Sequence, residues 1–283
     1  MTFRTIFLRL FKYGSLLAVL CLLYGFFVEP KTLSVRHVEI ISETWQGSPL
    51  KIGLMADIHV GGWHVDAERA WRLSEKLNDL TPDIVLLAGD FINGHVPKTL
   101  RTGQENLEIE QGIKNLGKLS APLGVYAVLG NHDAWYGEEQ IRSLLGNANI
   151  GILDNQNSLI KSEKFQFCLI GLADSLTGIR DTTVFADCAA GNDIIAFMHS
   201  PDSFYLLRSD TDLALAGHTH GGQINIPFIG RRITSTIAGR KYAYGRIDLG
   251  GIQAFVTAGI GTSILPARFR APPEIVLITL RSP

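Results

Sequence analysis

Cysteine is scarce in this chain: Cys21, Cys168 and Cys188 are the only three in 283 residues. No two of them stand at C-x-x-C or zinc-ribbon spacing, which excludes that metal chemistry. Cys21 lies inside an apolar run. Cys168 and Cys188 read as core thiols, with a bridge between them open to an oxidising compartment. An excess of charge is also missing, since 26 basic residues stand against 27 acidic ones. The chain therefore carries no electrostatic footprint for nucleic acid, and no such partner is expected. Internal repeats, low-complexity segments and composition breaks within the body are absent as well, so one domain is the simplest account of it.

What is present begins with a charge-free run, Tyr13 to Val28, preceded by Arg4, Arg9 and Lys12 and followed by Glu29, Pro30 and Lys31. Its sixteen residues fall short of the roughly 20 that span a bilayer as helix. Phe7, Leu8, Leu10 and Phe11 extend it if the basic side chains snorkel. No small-x-small cleavage signal follows Val28, so the run reads as an uncleaved anchor rather than a removed signal peptide. The basic residues before it predict a cytoplasmic amino terminus, a single pass through the inner membrane and a body on the periplasmic side. On this reading residues 1–30 are the anchor, 31–48 a tether with an edge strand (VRHVEI), and 49–283 the catalytic domain.

Within the body the pattern strand, polar turn, helix occurs three times. Lys51–Ala56 leads to a helix over Asp66–Leu80, Asp83–Ala88 to one over Asn106–Leu119, and Gly124–Leu129 to one over Glu138–Leu145. That alternation predicts α/β architecture with a mostly buried sheet. The second half is richer in strands. A hairpin is expected over 157–160 and 165–170, and further strands at Asp193–Met198, Leu213–Ala216, Ile252–Thr257 and Glu274–Leu280. A short helix is expected over Ser203–Arg208.

Five of these apolar strands end in polar residues: Asp57 and His59, Asp90, Asn131 and His132, His199, and His218 and His220. A lone Asp after a strand is commonly only a turn residue, but open α/β folds gather ligands beyond the carboxyl ends of strands, so five such turns can converge. Spacing of two along an extended segment places His218 and His220 on one side. Three carboxylate or amide oxygens (Asp57, Asp90, Asn131) and four imidazoles (His59, His199, His218, His220) are too many for one tetrahedral zinc ion. They suit two divalent ions such as Mn, Fe, Zn or Co. A carboxylate with two oxygens can bridge such a pair, and Asp90 is the candidate. Phosphate esters are the matched substrates.

The blocks DIH, GD, GNHD, the histidine after DIIAFM, and GHTHGGQ resemble, in this order, the signature of the calcineurin-like metallophosphoesterases, over Lys51 to Leu280. The resemblance implies a four-layer fold of two facing mixed β-sheets flanked by helices. It places Asp57, His59, Asp90 and His220 on one metal, and Asp90, Asn131, His199 and His218 on the other. It makes His132 the outer residue that contacts phosphate and protonates the leaving alkoxide, with Asp133 orienting it. Within that superfamily the chain is similar to bacterial membrane-linked phosphodiesterase-like proteins that combine an anchor, GHTHGGQ and a terminal PPEI-x-L-I-T-L strand, here Pro272 to Leu280.

That similarity implies hydrolysis of a phosphodiester or pyrophosphate. The alternative is a membrane-bound UDP-2,3-diacylglucosamine-type lipid pyrophosphatase, whose substrate is a nucleotide-diphosphate lipid drawn from the membrane. A noncatalytic metal-binding scaffold is the competing reading, against which the intact ligand set argues. The loop Phe91–His95 departs from many relatives. His95, Trp63, Trp135 and Tyr136 are the candidates for the mouth of the site.

Overall fold

A computed structural model describes residues 3–186, 188, 191–231, 234–237 and 239–283. Its body is built on two six-stranded sheets. The first runs, edge to edge, Ser34–Ile41, Glu274–Arg281, Leu50–Met55, Ile84–Ala88, Val125–Val128 and Gly151–Ile152. Only the pairing of Glu274–Arg281 with Leu50–Met55 is antiparallel. The second runs Gly245–Asp248, Gln253–Val256, Leu213–Ala216, Asp193–Met198, Gln166–Leu172 and Gln156–Lys161. Its four inner strands are parallel and its two outer ones antiparallel.

The two-residue period of each strand sorts its side chains between layers. Ile52, Leu54 and Leu86 of the first sheet meet Phe167, Leu169, Ile195, Leu213 and Phe255 of the second in one buried cluster between the sheets. The alternate residues Met55, Val85 and Leu87 pack outward against Leu73, Leu77, Ile109 and Ile113. These come from two amphipathic helices, which, with the apolar amino-terminal helix Phe3–Leu23 as α1, are α2 (Ala67–Asn78) and α3 (Gly103–Leu116). The fold is thus the four-layer arrangement with facing mixed sheets, and a plain single sheet is excluded. On the far side the covering layer is thin: Ile170, Ile194 and Val256 lie under the short 3-10 turns Thr182–Phe185 and Pro201–Leu206. The helix expected over Ser203–Arg208 is the second of these turns.

Cys168 and Cys188, read as core thiols, are instead bridged, with Cα atoms 5.9 Å apart. The outward face of the second sheet brings Cys168 under the turn that carries Cys188, within the span a disulfide needs.

Local capping sets the helix starts. The Asp66 carboxylate accepts the Arg69 N–H at 2.7 Å at the start of α2. Thr102 and Glu105 form a reciprocal capping box at the start of α3, which begins at Gly103 and not at Asn106. The next helix, α4, spans Asn131–Asn147 with a break at Gly137 (φ 149°). It therefore begins on the GNHD block itself, and not at Glu138.

All of α1 projects away from the body, with no buried residue. It continues as a π turn, Tyr24–Val28, and a 3-10 turn, Glu29–Lys31, giving a helical run of 29 residues that is long and apolar enough to cross a membrane. The last turns of this run seat on the body. The buried Glu29 carboxylate accepts the N–H groups of Arg270 (2.9 Å) and Ala271 (2.6 Å). Arg268 donates its N–H to the Gly25 carbonyl at 2.9 Å, and Phe269 meets the Tyr24 ring edge-on. Little slack follows, because Ser34–Ile41 pairs along its whole length with Glu274–Arg281.

Candidate metal centre

The carboxyl ends of both sheets meet at one buried cluster of polar side chains. Asp57, Asp90 and Asn131 follow strands of the first sheet, and His199 and His218 follow strands of the second. Asp57, His59, Asp90, His218 and His220 all have left-handed backbone, with φ between 50° and 70°. Such conformations are uncommon for residues with a side chain and cluster where function requires them. They also show that extended-chain periodicity is not what aims the two histidines of GHTHGGQ. His218 and His220 stand on a sharp turn around Thr219, which is right-handed.

Hydrogen bonds hold these turns. The Asp57 carboxylate accepts the His218 N–H with both oxygens at 3.0 Å, tying the first sheet to the second. Asp90 Oδ1 accepts the His132 N–H at 2.9 Å, in the first turn of α4, where the helix end favours negative charge. The Asp133 carboxylate accepts the N–H groups of Asp90, Phe91 and Gly130, each at 2.9 Å. Asp133 thus braces the Asp90 turn and does not orient the His132 ring, because its lone pairs are taken by backbone. Gly130 is required at its place: a Cβ there would lie 2.2 Å from Asp90 Oδ1.

The ligand atoms gather in three overlapping groups. Asp57, His59 and His220 form one, His59, Asp90 and His132 another, and Asp90, His199 and His218 the third, with the atoms of each within 4.8 Å of one another. Asp90 belongs to two groups: its Oδ2 lies 3.6 Å from His59 Nε2 and 3.3 Å from His199 Nε2. This is the placement of a bridge. His199 Nδ1 faces the Ala88 carbonyl at 2.8 Å and His218 Nε2 faces the Ser235 carbonyl at 2.8 Å. Both contacts require N–H donors, so the nitrogens left for a ligand are His199 Nε2 and His218 Nδ1, 3.0 Å apart. On the other side His59 Nε2 and His220 Nε2 are 3.1 Å apart.

Facing nitrogens at such distances share either a ring proton or a cation. The Asn131 Oδ1 atom is buried without a hydrogen-bond partner among the described residues, as an oxygen reserved for a cation would be. The residues present therefore fit two divalent ions, Asp57, His59, Asp90 and His220 holding one and Asp90, Asn131, His199 and His218 the other.

The site's electrostatics agree with a demand for positive charge. Burial pushes the Asp57 carboxyl up to about 7, opposed by His199 and reinforced by the Asp90 charge. Burial also drives His59 down to about 3 and His132 down to about 4. His199 is the exception: burial works against its charged form, but Asp90 beside it holds it well above the ordinary histidine range. A proton on His199 and a divalent cation are alternative answers to the same buried carboxylates.

Residues 50–222 match the sequence profile described as calcineurin-like phosphoesterase. The chain belongs to this family. The metallophosphoesterase YkuE of Bacillus subtilis is 32% identical over 211 residues, covering 73% of this chain and 70% of that one. The phosphodiesterase YaeI of Escherichia coli is 28% identical over 241 residues, covering 82% and 83%. A zebrafish transmembrane protein with a metallophosphoesterase domain is 28% identical over 268 residues, covering 89% of this chain and 57% of its own. The metallophosphoesterase described here is accordingly a hydrolytic, metal-dependent enzyme of a family that works with paired ions.

Around the metal residues of the phosphoesterase lies a shell that the sequence motifs miss. His132 Nδ1 accepts the Gly94 N–H at 3.1 Å, while its Nε2 lies 3.3 Å from Ser263 Oγ. His95 joins it at the mouth, its ring 4.3 Å from that of His132, and Trp135 packs 4.9 Å from His132 on another side. Tyr136, a mouth candidate by sequence, is buried, with its hydroxyl donated to Asn106. Arg268 is fully buried, donates to the carbonyls of Gly261, Ala258 and Ala271, and brings Nη2 to 3.4 Å from His220 Nδ1. Neither Ser263 nor Arg268 belongs to a motif, and no local signal in the sequence marks either.

Proposed function

We propose that this metallophosphoesterase hydrolyses a phosphodiester or a pyrophosphate. The observation that carries the reading is the convergence of Asp57, His59, His199, His218 and His220 with Asp90 in overlapping groups, His132 lying beside His59 and Asp90. A pair of divalent ions bound there supplies Lewis acidity for a phosphoryl group and lowers the pKa of water. The protein's own part follows from the contacts. Asp90 is fixed in its bridging position by the His132 N–H and by the Asp133 brace. His132 keeps its Nδ1 lone pair on Gly94, so its ring hydrogen sits on Nε2 and points to the mouth. That N–H can donate a hydrogen bond to a phosphoryl oxygen or to the departing oxygen, where charge develops.

The finer reading is a substrate carried by the membrane. The helical run Phe3–Lys31 supports it, because its last turns seat on the same chain segment that touches His132 and His220. The basic residues Arg4, Arg9 and Lys12 ahead of the apolar run support an amino terminus in the cytoplasm. The Cys168–Cys188 bridge supports an oxidising, extracytoplasmic location for the body.

Manganese-loaded protein offered an aryl monoester, an aryl diester, a nucleotide-sugar pyrophosphate and a lipid-linked diphosphate tests both levels. Turnover of the diester or of either pyrophosphate is expected. Preference for the monoester would overturn the reading, and efficient cleavage of soluble diesters with no action on the lipid diphosphate would remove its membrane form.

A further inference from the structure

The segment Gly261–Ala271 joins the metal site to the anchor. Ser263 Oγ touches His132, and Phe269, six positions on, touches Tyr24 at the end of the membrane run. Six residues span at most about 20 Å. A helix that leaves the bilayer at Tyr24 therefore holds the mouth within about 20 Å of that point, and the buried Glu29 contacts tie the seating down.

The surface between these two points is apolar and exposed. Ile264 and Leu265 project from the same segment. Phe228 and Ile229 project from the adjacent hairpin of Asn225–Ile226 with Gly230–Arg231, which is tied to Phe269 through the Asn225 N–H at 2.8 Å. Trp63, 80% exposed, lines a cavity of about 320 Å³ with His95, Ile264 and Leu265. It also lines the neighbouring hollow that reaches Lys31 and Leu33 at the end of the anchor.

Two of these side chains cost the fold something beyond exposure. Phe228 (φ 67°) and Ile264 (φ 60°) are bulky residues in left-handed conformation, on solvent-exposed turns. Backbone strain of this kind persists where a function requires it. Exposed cations lie beside it, Lys31 in the hollow with Trp63, where Asp66 and Glu68 also sit, Arg270 next to Phe269, and Arg240 close to Gly230 of the hairpin. Exposed Trp, Phe and Ile beside basic residues is the composition of a surface that sits in the bilayer interface.

We infer that this rim is a second membrane contact: Trp63, Phe228, Ile229, Ile264 and Leu265 enter the lipid interface, so that the metal mouth opens onto the bilayer surface. The inference rests on the reading of α1 as an anchor. It does not depend on which ester is cleaved. A phosphate headgroup lying in the membrane plane then reaches His95 and His132 without leaving the lipid phase.

The test uses the full chain reconstituted in vesicles of mixed phosphatidylcholine and phosphatidylglycerol, with or without bromine-labelled acyl chains. The emission of Trp63 is obtained as the difference between the wild type and Trp63→Phe. Loss of most of that emission in brominated vesicles is expected. The double variant Phe228→Ser, Ile264→Ser should restore it while co-floating with the vesicles as the wild type does. Undiminished Trp63 emission in protein that co-floats with the vesicles overturns the inference, as does failure to co-float. Full quenching in the double variant overturns the role given to those two side chains. None of these readouts requires hydrolysis, so an error in the proposed activity would show separately.

Discussion

The Asp133 carboxylate accepts the backbone N–H of Asp90 at 2.9 Å, and that of Phe91 at the same distance. The acidic residue of GNHD thus acts on the neighbouring block, fixing the left-handed turn from which the bridging carboxylate projects. Asp133→Asn would turn an amide N–H toward donors that have no other acceptor, at a cost of about 1–3 kcal/mol. Misplacement of Asp90 should lower metal affinity by roughly 10- to 100-fold. Chelator competition on the purified variant reads the affinity and denaturant unfolding reads the stability. Wild-type affinity for both ions, joined to a changed leaving-group dependence, would return Asp133 to the role of orienting His132.

The two histidines of GHTHGGQ serve different partners. His220 lies against His59 and Asp57, and His218 against His199. His218→Ala and His220→Ala should each leave about one ion per chain, held by the opposite ligand set, whereas Asp90→Asn should weaken both. Metal content after dialysis at a fixed free-metal concentration checks this. Equal loss of both ions from either histidine variant would indicate a single coupled site.

These contacts also show what sequence reveals and what it conceals. The residues that gather around Asp90 were legible because each block is short and local: an apolar strand, a tight turn and a donor atom lie within a few residues. The two-sheet architecture was less so. Ile52 and Leu54 on one side, and Met55 on the other, look the same in a sequence whichever layer each faces. Residues that act across the fold leave no local trace. Arg268 reaches His220 from 48 positions away and Ser263 reaches His132 from 131. Asp133 misled because adjacency to His132 in the chain suggested contact, while the first turn of α4 carries its carboxylate back to residues 90 and 91. The disulfide depended on how the outer face of the second sheet is covered.

His132 holds its ring hydrogen on Nε2, outside the ligand set. His132→Ala should therefore retain both ions and lose roughly 10²- to 10⁴-fold in kcat. The loss should be larger for an alkyl leaving group, which gathers more negative charge on the departing oxygen, than for a nitrophenyl one. Comparing the two esters at equal metal content makes the measurement, and an equal loss on both would reduce His132 to a phosphate-binding contact.

A last prediction concerns stability at a distance from the metals. Asp154 accepts the Leu129 N–H at 2.9 Å and pairs with Arg142 at 2.6 Å, bracing the strand end that leads into GNHD. Burial nevertheless pushes its carboxyl up to about 6, outweighing the N–H and the guanidinium. The folded state thus binds this proton more tightly than the unfolded chain, whose carboxyl titrates near 3.9. Its contribution is greatest below pH about 4, falls as pH rises toward about 6 and is constant above that, a change on the order of 3 kcal/mol. The difference in unfolding free energy between wild type and Asp154→Asn, followed from pH 4 to pH 7, should decline along that course. A difference that grows with pH instead would mean that the Arg142 pair holds the carboxylate ionised, with the burial penalty already offset in the fold.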